Sequence, residues 1–487
     1  GVVNVLKVRR GRSPNCSAVG SVVGIAIVSA VVGATIVNAW AERFVRWRGG
    51  RGGPSGATGP LAESASGRGT ATPVHTSTQA DTSTDAPRAR LGHASNDTPR
   101  ARLRHESFGS ILAWPDPAAL LYLDAAGTEA ALARGTRVIG GQPAPAGALS
   151  APTEVHIAVT ERCPVACTGC YLDAGPDRDR PDPTHAELRA ALREAADLGV
   201  FEVAFGGGEA VLRDDLLDLA AEARALDLVP NLTTSGFGVT PQRARRMAEL
   251  FGQVNVSLDG LPGTYEAVRG WDGAAVGLNA LDVLRDAGVR TGVNTVLSRR
   301  NIDHLDTLAD ALVAHGVSEW QWVRFKPTGR GADVYDANAL RPEQAERLLP
   351  LALAIEARTG LVLRTDCALV PFLASHDPPV ELMERLGVSG CVGGESLWTR
   401  GATGAWTPCS FASDPELESD DRGAMADLWA DSPTLTRWRD YATAAPEPCS
   451  SCTYRSVCRG GCRVVARHVG GSPWAPDPEC PRVRAHG

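Results

Sequence analysis

The sequence predicts an α/β fold: a partial (β/α)6, TIM-like barrel followed by a cysteine-rich domain at the C-terminus. Six apolar, strand-like runs alternate with segments whose apolar residues repeat at helical spacing. Such alternation implies a parallel sheet with right-handed crossovers. Eleven of the 12 cysteines lie beyond residue 160 and are grouped at short spacings. We therefore expect a barrel that carries metal or redox chemistry.

The overall composition excludes some classes of protein. The 487 residues carry a formal net charge of −7, so a strongly basic nucleic-acid-binding protein is not expected. Cysteines grouped in so long a chain favour metal binding in a reducing compartment over the disulfides of small secreted domains. We accordingly expect a cytoplasmic protein without a nucleic-acid partner.

Residues 1–105 differ in composition from the rest of the chain. They hold 14 Lys and Arg against 5 Asp and Glu, and from residue 49 they are mostly small or polar, which predicts disorder. Ala18–Ala41 is an uncharged run of 24 residues, long enough to span a bilayer or to act as a signal-like segment. Because the chain opens on Gly1 rather than Met, we interpret 1–105 as a disordered or spurious extension. Membrane anchoring through 18–41 is the alternative.

Residues 106–150 predict a small N-terminal module. Two apolar runs, at 111–114 and 120–123, are separated by turn-forming residues and predict a hairpin. A short helix is expected to begin at Thr128, which would be its cap. A hairpin and one helix are too small to be stable alone, so the module should pack on the domain that follows.

The core barrel is expected over residues 151–335. Its six strands are predicted at 154–160, 201–205, 228–233, 253–258, 289–296 and 319–325. Helices are predicted over 186–198 and 214–226, where Pro183-Thr184 and Arg213-Asp214 have the residue types that begin helices. In parallel barrels the chemistry lies at the C-terminal ends of the strands. The residues that directly follow each strand are therefore the candidates for catalysis.

The first predicted strand runs into Cys163, Cys167 and Cys170. Three thiolates on one tight loop can bind one metal centre, and in a cubane cluster three ligands leave one iron free to bind a substrate or cosubstrate. A structural zinc site would usually need a fourth protein ligand. Three buried thiols without a metal are the plain alternative.

The second predicted strand ends in a glycine-rich turn with a carboxylate, Gly206-Gly207-Gly208-Glu209. Glycines there let a ligand contact the backbone, and the carboxylate can pair with an ammonium group. Alone the turn is a weak signal, because glycine-rich turns between strands and helices are common. Its position one strand after the cysteine loop makes the two motifs informative together.

Together these residues resemble the radical S-adenosylmethionine (SAM) superfamily over about residues 151–330. The resemblance implies a barrel of the radical SAM type in which Cys163, Cys167 and Cys170 hold a catalytic 4Fe–4S cluster whose open iron chelates SAM. It also implies cofactor contacts at the ends of strands two to four, at Gly207, Gly208, Glu209, Thr234, Ser257 and Asp259. The sequence departs from the family at Gly169, where an aromatic residue is usual, and at Ala210, where Pro is usual.

A linker helix is expected over 336–365, followed by a domain at 366–487 that holds eight cysteines. This domain resembles the SPASM extension, which carries auxiliary 4Fe–4S clusters in many radical SAM enzymes, and eight thiolates suffice for two clusters. The resemblance assigns Cys449, Cys452, Cys458 and Cys480 to one cluster, and Cys391, Cys409 and Cys462 to the other, with Cys367 as candidate fourth ligand. The alternatives are a free thiol at Cys367 and zinc in place of a cluster.

The resemblance implies an enzyme that reductively cleaves SAM to a 5′-deoxyadenosyl radical, which abstracts hydrogen from a substrate. We expect the substrate to be a ribosomally made peptide, and the electron to come from an external donor such as flavodoxin or ferredoxin. The alternatives are enzymes that tailor small molecules, haem or quinone cofactors, and a sulfatase-maturase-like enzyme. The last is disfavoured because Ser410 follows Cys409, where that group has an Asp. An iron–sulfur or zinc protein that only binds peptides is the non-enzymatic alternative.

Overall fold

The computed structural model describes residues 101–177, 180–385, 388–414, 417 and 423–486. The segment 1–100, with the apolar run at 18–41 and most of the predicted disorder, lies outside these ranges. Within the described ranges, no helix combines the length and the apolar character needed to cross a membrane.

The N-terminal module is a four-stranded sheet with one helix. Its strands are β1 (Arg102–Glu106), β2 (Gly109–Pro115), β3 (Ala118–Leu123) and β4 (Arg137–Val138), in the spatial order β3-β2-β1-β4. β2 and β3 form the predicted antiparallel hairpin. Helix α1 (Ala125–Ala133) contacts β2 and begins earlier than predicted. Its cap is Asp124 rather than Thr128, because the Gly127 amide donates to the Asp124 carboxylate at 2.8 Å.

The folded part of the chain begins before the predicted boundary at residue 106, because β1 contains buried arginines. Arg104 is 1% exposed and donates to the carbonyls of Pro152 and Gly199 at 2.9 and 2.8 Å. Its guanidinium also pairs with Glu106 and lies over the ring of Phe201. Arginine normally marks an exposed position. Because its arginines made this segment look exposed in the sequence, the strand β1 was not predicted.

The six predicted barrel strands are confirmed. They are β5 (Glu154–Thr160), β6 (Glu202–Gly207), β7 (Val229–Thr234), β8 (Gln253–Ser257), β9 (Thr291–Leu297) and β10 (Glu319–Arg324), and each pairs in parallel with the next in chain order. Three more strands extend this sheet. β11 (Val362–Thr365) lies parallel to β10, β12 (Leu397–Arg400) lies parallel to β5, and β13 (Trp406–Thr407) is antiparallel to β12. The C-terminal domain is thus joined to the barrel through β12.

The barrel helices lie in the connections between these strands. They are α2 (His185–Leu198), α3 (Leu216–Ala225), α4 (Pro241–Leu250), α5 (Thr264–Arg269), α6 (Ala274–Asp286) and α7 (Leu305–Ala314). α2 begins as predicted, because Thr184 caps it and forms a capping box with Glu187. α3 begins slightly after the predicted Asp214, and a 3-10 turn over Ala210–Leu212 precedes it.

Eleven further helices lie in the described part of the chain that follows β10. They are α8 (Arg330–Asp333), α9 (Tyr335–Asn338), α10 (Pro342–Ala345), α11 (Leu348–Thr359), α12 (Val370–Ala374), α13 (Val380–Arg385), α14 (Met425–Asp431), α15 (Pro433–Ala444), α16 (Arg455–Cys458), α17 (Arg463–Gly470) and α18 (Pro481–Arg484). The predicted linker helix at 336–365 is divided. Gly360, in the left-handed conformation with φ +72°, ends α11 and allows β11 to follow.

The core lies between the sheet and its helices. Val155, Ile157 and Val159 on β5 are at most 1% exposed and belong to one apolar cluster with the helix residues Leu188 and Leu192. Side chains alternate along a strand. His156 and Ala158, which lie between these core residues, line a cavity inside the barrel. The side chains of β5 that alternate with its core residues therefore face the cavity.

Candidate active site

Cys163, Cys167 and Cys170 lie together on the loop that follows β5, and all three line one cavity. Backbone hydrogen bonds fix the loop: the Cys163 amide donates to the Gly175 carbonyl at 2.9 Å, and the Cys170 amide to the Cys167 carbonyl at 3.2 Å. Burial raises the pKa of Cys163 to about 11. Three thiols that line one cavity from a single loop are the donor chemistry that a 4Fe–4S cluster with one open iron takes, so the donor set fits such a cluster.

Two side chains that the sequence analysis missed hold this loop from other parts of the barrel. The indole N–H of Trp271 points at the Cys167 Sγ at 3.2 Å. The Arg330 guanidinium donates to the carbonyls of Cys167 and Ala174 at 3.0 and 2.7 Å. Both residues lie more than one hundred positions from the loop along the chain, so no local sequence motif predicts their contact with it.

The glycine-rich turn after β6 lies directly against the cysteine loop. A Cβ on Gly207, whose φ is +122°, would be 2.2 Å from the Thr160 carbonyl oxygen, and a Cβ on Gly208 would be 2.1 Å from the Arg162 carbonyl oxygen. These two glycines therefore permit the turn and the loop to approach each other. Gly206 differs, since a Cβ there meets nothing within 4 Å, and its missing side chain leaves room in the cavity.

The structure brings the predicted Glu209 and Thr234 together. Glu209 is 1% exposed, and burial raises the pKa of its carboxyl. Its oxygens accept from the Thr234 hydroxyl at 2.7 Å, from the Ser235 amide at 2.8 Å and from the Val211 amide at 3.3 Å, with the Ser235 hydroxyl as a fourth donor. A carboxylate has about four acceptor positions. Glu209 therefore ties the turns after β6 and β7 together, while its contact with an ammonium group stays a prediction.

The other two predicted contacts lie after β8. Ser257 lines the cavity. Asp259 also lines it but is 1% exposed, pairs with Arg269 at 2.5 Å and accepts from the Val296 amide at 2.8 Å. Its carboxylate is therefore engaged in holding neighbouring segments. Gly169, where the family usually has an aromatic residue, lies beneath the ring of Phe325: a Cβ there would be 2.7 Å from that ring.

The C-terminal cysteines lie in two groups of four, which we call the first and the second quartet; that each quartet holds a cluster stays a prediction. In the first quartet, the Cys367 thiol donates to Cys391 and thereby lowers the pKa of Cys391 to about 6. Burial and the nearby Cys391 thiolate raise the pKa of Cys409 to about 12, and the charge of Cys462 also acts on Cys409. The structure thus places Cys367 next to Cys391, and its role as the fourth cluster ligand stays a prediction.

The second quartet consists of Cys449, Cys452, Cys458 and Cys480. Burial and the charges of Cys480 and Cys452 raise the pKa of Cys449 to about 11. Burial and the charge of Cys480 likewise raise the pKa of Cys458. Throughout the described ranges, no three His, Cys, Asp or Glu side chains converge closely enough to chelate a single metal ion.

One cavity of about 1710 Å³ connects these features. It contacts Phe108 and Tyr122 of the N-terminal module, the interior of the barrel, the Cys163–Cys170 loop and the first quartet. The residues of the second quartet are not among its described lining residues. Of the two quartets, the first is therefore the one that lines this cavity.

His156 was not singled out by the sequence, yet it links the barrel to the first quartet. Its Nδ1 is 2.8 Å from the Ser410 hydroxyl, directly after Cys409, and its Nε2 is 3.5 Å from the Glu154 carboxylate. Glu154, His156 and Ser410 all line the cavity. His156 and Ser410 thus form a polar pair that joins the barrel wall to the segment of Cys409.

Acidic residues outnumber basic ones among the described residues that line the cavity. Nine are Asp or Glu, and six are Lys or Arg. Five of the six cations are in ion pairs: Arg180 with Glu161, Arg269 with Asp259, Arg324 with Asp477, Lys326 with Asp366 and Arg459 with Glu395. The sixth, Arg463, is 2% exposed and donates to the carbonyls of Gly460 and Pro473. The cavity wall is therefore formally negative.

Comparison with known proteins agrees with this arrangement. The profile of the Radical SAM superfamily matches residues 157–312. Three relatives are each 30% identical to this chain: the pre-heme d1 synthase of Dinoroseobacter shibae over 345 residues (66% of this chain, 84% of the relative), the mycofactocin maturase MftC of Mycolicibacterium smegmatis over 346 residues (68% and 83%) and the PqqA peptide cyclase of Streptomyces rochei over 338 residues (68% and 90%).

Solved structures show the same fold. Streptococcus suis SuiB bound to its precursor peptide SuiA is 17% identical, has a TM-score of 0.62, and the match covers 79% of this chain and 99% of that one. At that identity the likeness concerns the fold alone. The family profile and the relatives at 30% identity show more than the fold, and the C-terminal domain is of the SPASM type. The chain belongs to the radical SAM superfamily, whose enzymes use a 4Fe–4S cluster and SAM.

Proposed function

We propose that this enzyme matures a ribosomally made peptide. The observation that carries the proposal is the charge of the cavity wall: nine acidic residues face six basic ones, and five of these are already in ion pairs. Such a wall suits a neutral or cationic chain. Two relatives at 30% identity are named for maturation or for peptide cyclisation, which supports the same substrate class.

A second candidate function is the tailoring of a tetrapyrrole. The relative named pre-heme d1 synthase is as similar to this chain as the other two. Tetrapyrrole precursors carry several carboxylates, and recognition of a carboxylate usually relies on Arg or Lys that is free to pair with it. The five cavity cations that are paired with Asp or Glu would have to exchange partners first. The wall therefore favours the peptide over the tetrapyrrole.

We assign the resident groups as follows. Cys163, Cys167 and Cys170 would hold the SAM cluster, and the two quartets would hold two auxiliary clusters. When bound, the reduced SAM cluster and SAM supply a 5′-deoxyadenosyl radical that removes a hydrogen atom from the substrate. The three thiols and the turn at Gly206–Glu209 would orient SAM over the barrel interior. His156 Nδ1, reached through the Ser410 hydroxyl, would accept the proton that the substrate radical releases, and an auxiliary cluster held by the first quartet would take up the accompanying electron.

Two further proposals concern the cellular setting. An external one-electron donor such as flavodoxin or ferredoxin would reduce the SAM cluster, because the reductive cleavage of SAM consumes an electron. A cytoplasmic location is proposed because cysteines grouped at short spacings in so long a chain favour metal binding in a reducing compartment, and none of the eleven described cysteines is in a disulfide.

The test uses the anaerobically reconstituted full chain with SAM, dithionite and a precursor peptide encoded beside its gene. Mass spectrometry is expected to show a peptide that has lost pairs of hydrogen atoms, as in cross-link formation. The matched control is the variant with Cys163, Cys167 and Cys170 all replaced by Ala, which should leave the peptide unchanged. Conversion of a carboxylated tetrapyrrole, with the peptide untouched, would reject the proposal in favour of the second candidate.

A further inference from the structure

One buried cation lies beside the first quartet. Lys326 is one of only two lysines in the chain, in which nearly all of the 49 Lys and Arg are Arg. It follows β10 closely and is 6% exposed. Its Nζ pairs with the Asp366 carboxylate and donates to the Arg324 carbonyl at 3.3 Å. This ammonium group is therefore fixed in position and removed from bulk water.

The surroundings of Lys326 belong to the loops that carry the quartet. Asp366 directly precedes Cys367 in the chain. The Lys326 Nζ also lies 4.2 Å from the centre of the Phe411 ring, and the Phe411 amide donates to the Cys409 Sγ at 3.3 Å. Phe325, next to Lys326, shares one apolar cluster with Cys391, Cys409 and Cys462. The ion pair is thus held between segments that provide the four thiols.

Burial of the Lys326–Asp366 ion pair costs free energy, so a contribution to protein stability does not by itself explain why the pair is present. Desolvation of both charges offsets much of their attraction. Lysine carries a compact point charge, whereas arginine spreads its charge over a planar group. A compact charge that lines the cavity next to thiolates acts strongly on any group those thiolates hold, because the local dielectric constant is low.

We propose that Lys326 and Asp366 set the reduction potential of the auxiliary cluster at Cys367, Cys391, Cys409 and Cys462, and that they act in opposite directions. The proposal rests on the assignment of a cluster to this quartet. A reduced cluster is more negative by one charge than its oxidised form, and local charge is among the factors that set its potential. The Lys326 ammonium therefore favours the reduced form, and the Asp366 carboxylate favours the oxidised form.

The test is a redox titration of the reconstituted holoenzyme, followed by electron paramagnetic resonance, without any peptide. In Lys326→Met, the reduced-to-oxidised ratio of one auxiliary cluster is expected to fall about tenfold at fixed potential, which is about 59 mV for a one-electron couple. In Asp366→Asn, the same cluster should shift in the opposite direction. Lys326→Arg keeps the charge and is the matched control, with a potential near that of the unchanged chain. The other two clusters should keep their potentials.

Opposite shifts separate this role from a merely structural one, since loss of the ion pair alone would disturb the site in the same way in both variants. Shifts of equal sign, or unchanged potentials with full iron content, would overturn the proposal. If Lys326→Met loses iron, the proposal is still tested by comparing the reduction potential of the cluster in Asp366→Asn with its potential in Lys326→Arg. Because no peptide is present, failure of the peptide-maturation proposal would leave this result unaffected.

Discussion

Replacing Gly208 by Ala tests the contact between the glycine turn and the cysteine loop. A Cβ at this position would lie 2.1 Å from the Arg162 carbonyl oxygen and 2.6 Å from the carbonyl carbon. The obstacle is backbone, so it cannot rotate away as a flexible side chain would. To reach an ordinary contact of about 3.5 Å, the turn has to move by about 1.4 Å.

The expected cost follows from the contacts that such a movement disturbs. Overpacking a well-packed site typically costs about 1–3 kcal/mol. The Gly208 amide also donates to the Thr160 carbonyl at 2.7 Å, and the Glu209 amide to the Arg162 carbonyl at 2.8 Å. Each such bond contributes a net of about 0.5–1.5 kcal/mol. We therefore expect Gly208→Ala to lower the free energy of unfolding by roughly 2–6 kcal/mol.

Gly206→Ala is the matched control, because a Cβ there meets nothing within 4 Å. Its stability should stay within about 0.5 kcal/mol of the unchanged chain, whereas its methyl group enters space that we assign to SAM and should weaken SAM binding. Thermal unfolding and isothermal titration of SAM on anaerobically reconstituted proteins measure the two effects. Unchanged stability in Gly208→Ala, or equal destabilisation in both variants, would refute the reasoning.

Three further predictions follow from particular contacts. A chain beginning at residue 99 should remain folded, whereas one beginning at residue 107 loses β1 and the buried Arg104; limited proteolysis and circular dichroism distinguish them. Trp271→Phe removes the N–H donor to Cys167 Sγ and should lower the potential of the SAM cluster in a redox titration without loss of iron. Burial and the Glu154 charge raise the pKa of Glu202 to about 7. Between about pH 4.3, the ordinary pKa of a glutamate, and pH 7, Glu202 is therefore protonated in the folded protein but ionised in the unfolded chain. Because the folded state then binds one more proton, the free energy of unfolding falls as the pH rises through this range. Glu202→Gln should remove this fall in thermal unfolding scans.

The sequence was sufficient where local pattern and structure coincide. Alternating strands and helices predicted all six barrel strands, and the Thr184 cap predicted the start of α2. The family resemblance grouped Cys367 with Cys391, and the structure places these two thiols next to each other, whereas the assignment of clusters to the two quartets stays a prediction.

The sequence was insufficient where the deciding contact comes from far along the chain. Arg104 looked exposed until the carbonyls of Pro152 and Gly199 were placed around it. His156 becomes a candidate site residue only through its contact with Ser410, which lies 254 residues away in the sequence. The glycines of the turn were interpreted as room for a ligand, yet two of the three are required by the backbone of the preceding loop. Such contacts depend on tertiary packing, which no local propensity encodes.

The measurement that tests the account most directly is the iron and sulfide content of the anaerobically purified chain, alone and with Cys163, Cys167 and Cys170 replaced by Ala. Three 4Fe–4S clusters predict about twelve irons per chain, falling to about eight in the triple variant. A value near four in the unchanged chain would contradict the assignment of auxiliary clusters to the two quartets, and zinc in excess of iron would contradict the iron–sulfur account as a whole.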